Sequence, residues 1–397
     1  MNNQSKAITC LLLAFFVEAC AAQVIFIYVP LSMLSGSGDE VFSALLRATV
    51  YLGPVAFGYW AGRLVDGVRS RALGFLVALG LCCHVALYAI RRGGWTLLET
   101  FVLLSVISIG IYILSNLRAC LIPRILHKDL LPRMNAGLLI VEHCALILSP
   151  VAVSYFLMLQ NPVVVFYGAS ICFLLSSFLY RYSSLELPPR IAPVVPTSFI
   201  SSYRALVQNK PLVHVVYIVV GNNAFTAIYL FFVLLSAADS GVFNISETPF
   251  LLVSYALGSI FSGLVAPRMM RALNTRIAVC TCSAGMAASG VSPLGLGTVE
   301  SYYVSAFFVG FFGAYVIITA WTLRQALVPA ALLGRVTGIT SALFKVSMLL
   351  SVPLAGLISS SFGSAVAILA GIVPVGLGLA PMAVASLKVK MGSPHTD

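Results

Sequence analysis

Leu117-Arg118-Ala119-Cys120-Leu121-Ile122-Pro123 returns 206 residues later as Leu323-Arg324-Gln325-Ala326-Leu327-Val328-Pro329. Each copy closes an apolar stretch of roughly 20 residues, the length that crosses the hydrocarbon core of a bilayer. Ala61-Gly62-Arg63 is echoed by Ala266-Pro267-Arg268 at an offset of 205, and a proline follows in the next apolar stretch of each half, Pro150 and Pro353. Offsets near half of a 397-residue chain imply a duplication in parallel orientation. Two repeated bundles meeting at a midplane site is how many transporters are built.

The chain is 60% hydrophobic and 9% charged, with 23 basic and 12 acidic residues, and its mean hydropathy is +1.02. A soluble domain carries about a quarter charged residues. Soluble enzymes and nucleic-acid binders are therefore excluded for want of polar surface. Twelve stretches are long and apolar enough to span a membrane, at approximately 7–34, 42–61, 72–90, 97–117, 134–158, 163–181, 211–236, 248–266, 277–296, 302–322, 336–360 and 365–387. Segment 182–210 holds Pro188, Pro189, Pro193 and Pro196 and then a polar run to Lys210, and reads as a linker. The expected fold is all-α and polytopic. Twelve transmembrane helices form two six-helix bundles, 1–181 and 211–397, joined by a cytoplasmic linker over 182–210.

With the N-terminus in the cytoplasm, the inward segments hold 19 Lys and Arg and the outward ones two, Arg91 and Arg92, while Arg47 and Lys345 lie within helices. The positive-inside rule then places both termini in the cytoplasm, at an inner or plasma membrane, and favours an even helix count. Most of the net charge of +11 is orientation rather than affinity for an acidic partner. The nine cysteines fall in apolar runs or at the inward loop after the fourth stretch, so no disulfide framework is implied. Cys280-x-Cys282, without a second pair or a nearby His, reads as packing rather than as a metal site. Lys6 and the long run from Ala7 to Leu34, interrupted by Glu18, read as a retained first helix rather than a cleaved leader.

The loop after the second stretch, Gly62-Arg63-Leu64-Val65-Asp66-Gly67-Val68-Arg69-Ser70-Arg71, resembles the signature loop of the major facilitator superfamily. Gly62, Leu64, Asp66 and Arg71 match that pattern, while Gly67 stands where the family has Arg and Arg69 where it has a second Gly. Such a Gly permits close helix packing, and Asp66 can face the positive N-terminal end of another helix. The resemblance thus implies a conformational latch of Gly62, Asp66, Arg71 and Arg118. Arg118, Pro123, Pro132-Arg133-Met134-Asn135-Ala136 and Ser149-Pro150, with Arg324, Pro329, Gly334-Arg335-Val336, Pro353 and Gly356, are similar to the loops of drug and siderophore exporters in that superfamily. The antiporter signature of the fifth helix is partial here, Ser149-Pro150-Val151-Ala152-Val153, and Arg118 at the inner end of the fourth stretch leaves no mid-membrane arginine there. The fifth stretch is also similar to ferroportins, iron exporters of the same fold, although no aspartate matches their first-helix metal ligand between Cys20 and Ile25.

Polar residues at helical spacing mark faces that a water-filled cavity would wet. The fourth stretch has Ser105, Ser108, Tyr112 and Ser115/Asn116, the seventh Asn222, Thr226 and Tyr229, the tenth Tyr315, Thr319 and Thr322. The first carries Glu18 and Gln23, and Glu18 aligns with Asn223 at the offset of 205. The twelfth has only Ser386 near its end and reads as lipid-facing; the same stripes would also serve as glue between helices. Ionisable groups at membrane depth cost about 2.5–3.5 kcal/mol on insertion scales. Glu18 is either a proton carrier or one half of a static ion pair, and Lys345 attracts an anionic substrate or neutralises a carboxylate. Glu142 and His143 are adjacent and point to different faces, so both cannot share the cavity equally. Arg47 can snorkel to the surface, His84 reads as a core histidine, and Glu99 as an interfacial residue.

The expected activity is secondary transport of a small organic molecule, as export of a drug, metabolite or siderophore, by alternating access and with protons as a candidate coupling ion. Iron export on the ferroportin plan is the alternative, and a non-transporting receptor or scaffold ranks lower. No P-loop and no nucleophile–base set occur in the sequence. No enzymatic chemistry, cofactor, bound metal or nucleic acid is therefore expected, and the protein is expected to work as a monomer among membrane lipids.

Overall fold

A computed structural model of the chain describes residues 3–37, 49–67, 70–91, 95–158, 161–183, 198–239, 241 and 250–384. They fold almost entirely as α-helices: α1 (Asn3–Ser37), α2 (Leu52–Gly67), α3 (Ser70–Ile90), α4 (Leu97–Ile125), α5 (Leu131–Met158), α6 (Pro162–Ser183), α7 (Phe199–Gln208), α8 (Lys210–Asp239), α9 (Phe250–Ala272), α10 (Thr275–Leu296), α11 (Val299–Leu327), α12 (Leu333–Phe362), α13 (Ser364–Ala370) and α14 (Ile372–Val384). Among the described residues eleven spans are long and apolar enough to cross a membrane. The chain is a multi-pass membrane protein. Of the twelve expected spans, the second is described only from Thr49, as one 3-10 turn (Thr49–Tyr51) and the 16 residues of α2; residues 42–48 and Arg47 lie outside the described residues.

Local signals set the helix ends. Thr96 and Glu99 form a capping box at the start of α4, with the Glu99 amide donating to Thr96 Oγ1 and the Thr96 amide to Glu99 Oε2. Asn274 accepts from the Arg276 and Ile277 amides at the start of α10, and Gly297 closes that helix at φ 62°, a left-handed conformation that favours glycine. Three expected boundaries need correction. The fourth stretch does not end at 117: α4 continues past Pro123 to Ile125, where the Leu126 amide donates to the Ile122 carbonyl at 3.0 Å. A proline in the last turn removes a single backbone donor and does not break the turns before it. The tenth stretch likewise extends to Leu327, and Gly371 divides the twelfth into α13 and α14.

The packing divides the chain into two compact units. Unit 1 is Met1–Leu126, Cys144–Tyr203 and Val328–Ala342; unit 2 is His127–His143, Arg204–Leu327 and Leu343–Asp397. In unit 1, α1 and α3 pack on α6, and α2 packs on α4; in unit 2, α8 packs on α13 and α14, and α9 packs on α11. The α1–α6 and α2–α4 pairings repeat across the duplication as α8 with α13 and α14 and α9 with α11, whereas α3 packs mainly on α6 and its counterpart α10 mainly on α11. Gly53 of α2 meets the Ser108 carbonyl of α4, and Gly258 of α9, at offset 205, meets the Phe307 carbonyl of α11, each too closely for a Cβ. Small residues that let backbones touch are the usual means of holding helices together in lipid, where apolar burial gives no drive. The core of unit 2 is built on Phe225, Tyr229 and Phe232 of α8 with Met286 of α10 and Val309 of α11.

The units also divide two helices. The first part of α5, to His143, belongs to unit 2 and the rest to unit 1, while α12 gives its first part, to Ala342, to unit 1 and the rest to unit 2. These are the two helices that carry Pro150 and Pro353.

Candidate functional site

Within unit 1, the fully buried Glu18 of α1 accepts a charge-assisted hydrogen bond from Arg118 of α4. The Ser176 hydroxyl of α6 donates to its other oxygen at 3.2 Å, and the Tyr180 hydroxyl lies 3.4 Å from the first. Arg118 also donates to the Tyr180 hydroxyl, and its guanidinium stacks 4.1 Å over the Phe15 ring. Arg118 was expected in a latch loop with no arginine at membrane depth on the fourth helix. It is 3% exposed and inside α4, because that helix continues two turns beyond the expected end. The carboxylate and guanidinium neutralise one another and tie α1, α4 and α6 together. Removing either partner of such a pair leaves an uncompensated charge, at about 3–5 kcal/mol.

A second polar site in unit 1 joins α2 to the start of α12. Asp66 Oδ1 accepts from the Gly334 amide at 3.0 Å and Oδ2 from the Arg335 amide at 3.1 Å, with Arg335 Nε 3.6 Å from Oδ2. The first turn of a helix leaves its amides without intrahelical acceptors. A carboxylate from α2 therefore caps α12 across the chain and meets the positive end of its dipole. Backbones touch here: a Cβ on Gly62 would strike the Gly334 carbonyl, and one on Gly338 the Gly58 carbonyl. Tyr112 of α4 donates to the Gly338 carbonyl at 3.2 Å. The spacing Gly58-x3-Gly62 facing Gly334-x3-Gly338 is the small-residue pattern of close helix pairs. That signal was present in the sequence for the α12 partner. Arg71 lies on α3, and its side chain is outside those described.

Unit 2 holds the counterpart at the start of α5. Asn135 Nδ2 donates to Thr322 Oγ1 at 3.0 Å and to Gln325 Oε1 at 2.8 Å, both on α11. Gly263 of α9 faces Ile140, leaving a Cβ 2.7 Å from its side chain. Beyond this contact, the half-buried Glu142 and His143 lie near Tyr255 of α9, with the His143 and Tyr255 rings 5.9 Å apart and His143 Nδ1 donating to the Leu139 carbonyl.

Much of the expected stripes is spent on bonds to neighbouring helices, while Ser105 and Thr319 bond within their own helices and the buried Tyr315 hydroxyl has no hydrogen-bond partner among the described residues. On α8, Asn222 donates to Ser283 at 3.0 Å, Thr226 to the Met286 sulfur at 3.8 Å, and Tyr229 shares a 2.8 Å bond with Ser305. On α11, Tyr315 and Thr319 are buried, with Thr319 donating to the Tyr315 carbonyl, and Thr322 accepts from Asn135. On α4, Ser108 binds the Val50 carbonyl and the Gly53 amide, and Ser115 is exposed. Asn116 differs: it is 1% exposed, and neither amide atom has a partner among the described residues. Gln23 and Asn223 are half-buried. Lys345, half-buried on α12, lies 3.8 Å from the Met348 sulfur. Among the described residues no group of three or more His, Cys, Asp or Glu could hold a metal ion.

Comparison with solved structures shows the same fold at low sequence identity. A bacterial homologue of the iron transporter ferroportin, in its outward-facing state, aligns with a TM-score of 0.74 at 15% identity, covering 95% of this chain and 98% of that one. The human organic anion transporter MFSD10 (TETRAN) gives 0.74 at 13% identity, covering 96% and 99%. The E. coli fucose:proton symporter FucP gives 0.72 at 12%, covering 96% and 98%. No curated protein matches the chain significantly by sequence. The Major Facilitator Superfamily profile matches residues 11–352. With that match and a repeat-built helical fold, the chain belongs to the Major Facilitator Superfamily, whose members are transporters and not enzymes.

Proposed function

We propose that the protein is a secondary active transporter that exports a small organic molecule by alternating access. The observation that carries this reading is the Asp66 carboxylate on the Gly334 and Arg335 amides. A helix of the first half holds a helix of the second through bonds that open without breaking either helix. Such a contact is a latch, and Gly62 and Asp66 act in it as the signature loop implies. The two halves rock, and the latch stabilises the state closed on the side of this loop, the cytoplasmic side by the count of basic residues.

Lys345 gives the cargo its chemistry. A cation at membrane depth is a functional group by default, and it favours an organic molecule with a carboxylate or other anionic group. Asn116, buried in unit 1 with both amide atoms unmatched among the described residues, offers a donor and an acceptor to a polar ligand or to an ordered water. Glu18 is held by Arg118, so its part is to fix α1, α4 and α6; Glu142, which makes no ion pair among the described residues, is the acid placed to exchange a proton. Iron export is the second reading, favoured by the ferroportin-like fold.

Uptake and efflux in proteoliposomes across a panel of organic anions, cations and ferrous iron, with and without a pH gradient, test this reading. Lys345→Ala is expected to lower flux of anions more than tenfold while leaving neutral compounds unchanged. Glu142→Gln is expected to abolish the response to the pH gradient. Glu18→Gln is expected to reduce the amount of folded protein rather than the pH response. Flux of ferrous iron alone would overturn the organic reading, and loss of pH response in folded Glu18→Gln protein would transfer the proton to Glu18.

A further inference from the structure

The segment read as a plain linker contains α7, and this short helix has three distinct faces. At about 100° per residue, Phe199, Tyr203, Val207 and Ile200 fall in one arc, and all four are exposed, Ile200 by 65%. Ser202 and Leu206 fall in a second arc and are buried against the protein. Arg204 and Gln208 fall in a third and are exposed. One helix thus shows a protein face, a bare apolar face and a polar face with a cation. A helix in water would not leave four large apolar side chains on one side, and a helix wholly within lipid would not present Arg204.

Three further observations decide what covers the apolar face. Only Asn209 separates the end of α7 from α8, whose span begins at Lys210, so α7 ends where the chain enters the membrane. Next, the apolar face continues into an aromatic cluster on α2: Phe199 packs 5.2 Å from Tyr59, Trp60 beside it is 61% exposed, and Arg63 lies 5.8 Å over the Trp60 ring. Aromatic rings beside basic residues are characteristic of the boundary between headgroups and acyl chains. Finally, residues 198–210 contain Arg204 and Lys210 and no acid. We propose that α7 is an interfacial helix that binds the membrane leaflet on its own side, with Phe199, Ile200, Tyr203 and Val207 among the acyl chains and Arg204 and Lys210 on anionic lipid headgroups. Amphipathic helices bind in this way, with strength set by apolar area plus attraction to anionic lipid. Because Phe199–Tyr203 belong to unit 1 and Arg204 onward to unit 2, the lipid contact falls on the segment that links the two.

Brominated lipids quench tryptophan only within the acyl region, and iodide quenches it only in water. In full-length protein with its three tryptophans changed to phenylalanine, Ile200→Trp and Gln208→Trp report opposite sides of α7. Vesicles of brominated phosphatidylcholine, with and without phosphatidylglycerol, provide the two surfaces. The expected result is strong bromine quenching and iodide protection for Ile200→Trp, with the reverse for Gln208→Trp. Adding phosphatidylglycerol deepens the quenching of Ile200→Trp. The fraction of phosphatidylglycerol needed rises about fivefold for each of Arg204→Gln and Lys210→Gln. Equal quenching of the two sites would overturn the proposal, as would iodide access to Ile200→Trp. Protection of Ile200→Trp from both quenchers would also overturn it and assign the face to a protein partner. Quenching that is independent of phosphatidylglycerol would overturn the headgroup part. None of these outcomes depends on transport activity.

Discussion

The two ends of the duplication solve the same contact differently. In unit 1, Asp66 of α2 caps α12, and glycines on both helices bring the backbones together. In unit 2, the position of Asp66 at offset 205 is Arg271, which is exposed and turns back to the Pro267 carbonyl of its own helix. The helix starts differ in the same sense. Arg335, beside Asp66, is buried, whereas Arg133 at the start of α5 is exposed, and the contact there falls to the neutral Asn135 amide. One clasp therefore depends on a buried charge and the other on neutral hydrogen bonds. Breaking the first leaves Arg335 without its carboxylate; breaking the second leaves only amide and hydroxyl groups that water can satisfy once exposed.

The largest effect is expected from Asp66→Ala. Removal of one partner from a buried charged pair costs about 3–5 kcal/mol. Hydrogen exchange at the Gly334 and Arg335 amides is then expected to accelerate more than a hundredfold, with Asp66→Asn falling between that variant and the wild type. Next comes Asn135→Ala, which deletes two buried hydrogen bonds and is expected to cost about 1–3 kcal/mol. Exchange near the start of α5 would rise accordingly, while Gly334 and Arg335 remain slow. Combined with Gln325→Ala, the cost should fall short of the sum, since the two side chains share one bond. The smallest effect is expected from Arg271→Asp, within about 0.5 kcal/mol as for an exposed substitution, read as an unchanged melting temperature. A strong change there would show that the second clasp also relies on charge and would erase the contrast.

Much of the fold is legible without coordinates, because lipid leaves few alternatives: long apolar runs become helices, and repeated motifs become repeated pairings. Asp66 was singled out by the resemblance of residues 62–71 to the superfamily's signature loop, and it lies at the end of α2 against the Gly334 and Arg335 amides. Arg118 was not legible. Its position after an apolar stretch and before Pro123 looks like a loop, and only the continuation of α4 to Ile125 turns it onto Glu18. The polar stripes show the limit of periodicity. Spacing places Asn222, Thr226 and Tyr229 on one face of α8, but a face that hydrogen-bonds to Ser283 and Ser305 has the same spacing as one that meets water. The linker helix was hidden by the prolines before it, although Phe199, Tyr203 and Val207 recur four residues apart.

The central claim is that the Asp66 clasp opens during transport. It is tested most directly by pulsed electron resonance between spin labels on Leu64→Cys at the end of α2 and Ala331→Cys before α12, in protein whose native cysteines have been replaced. The account predicts two distances in the wild type, whose ratio shifts when transported substrate is added, and a large shift to the longer distance in Asp66→Asn. A single short distance that ignores both substrate and Asp66→Asn would contradict it.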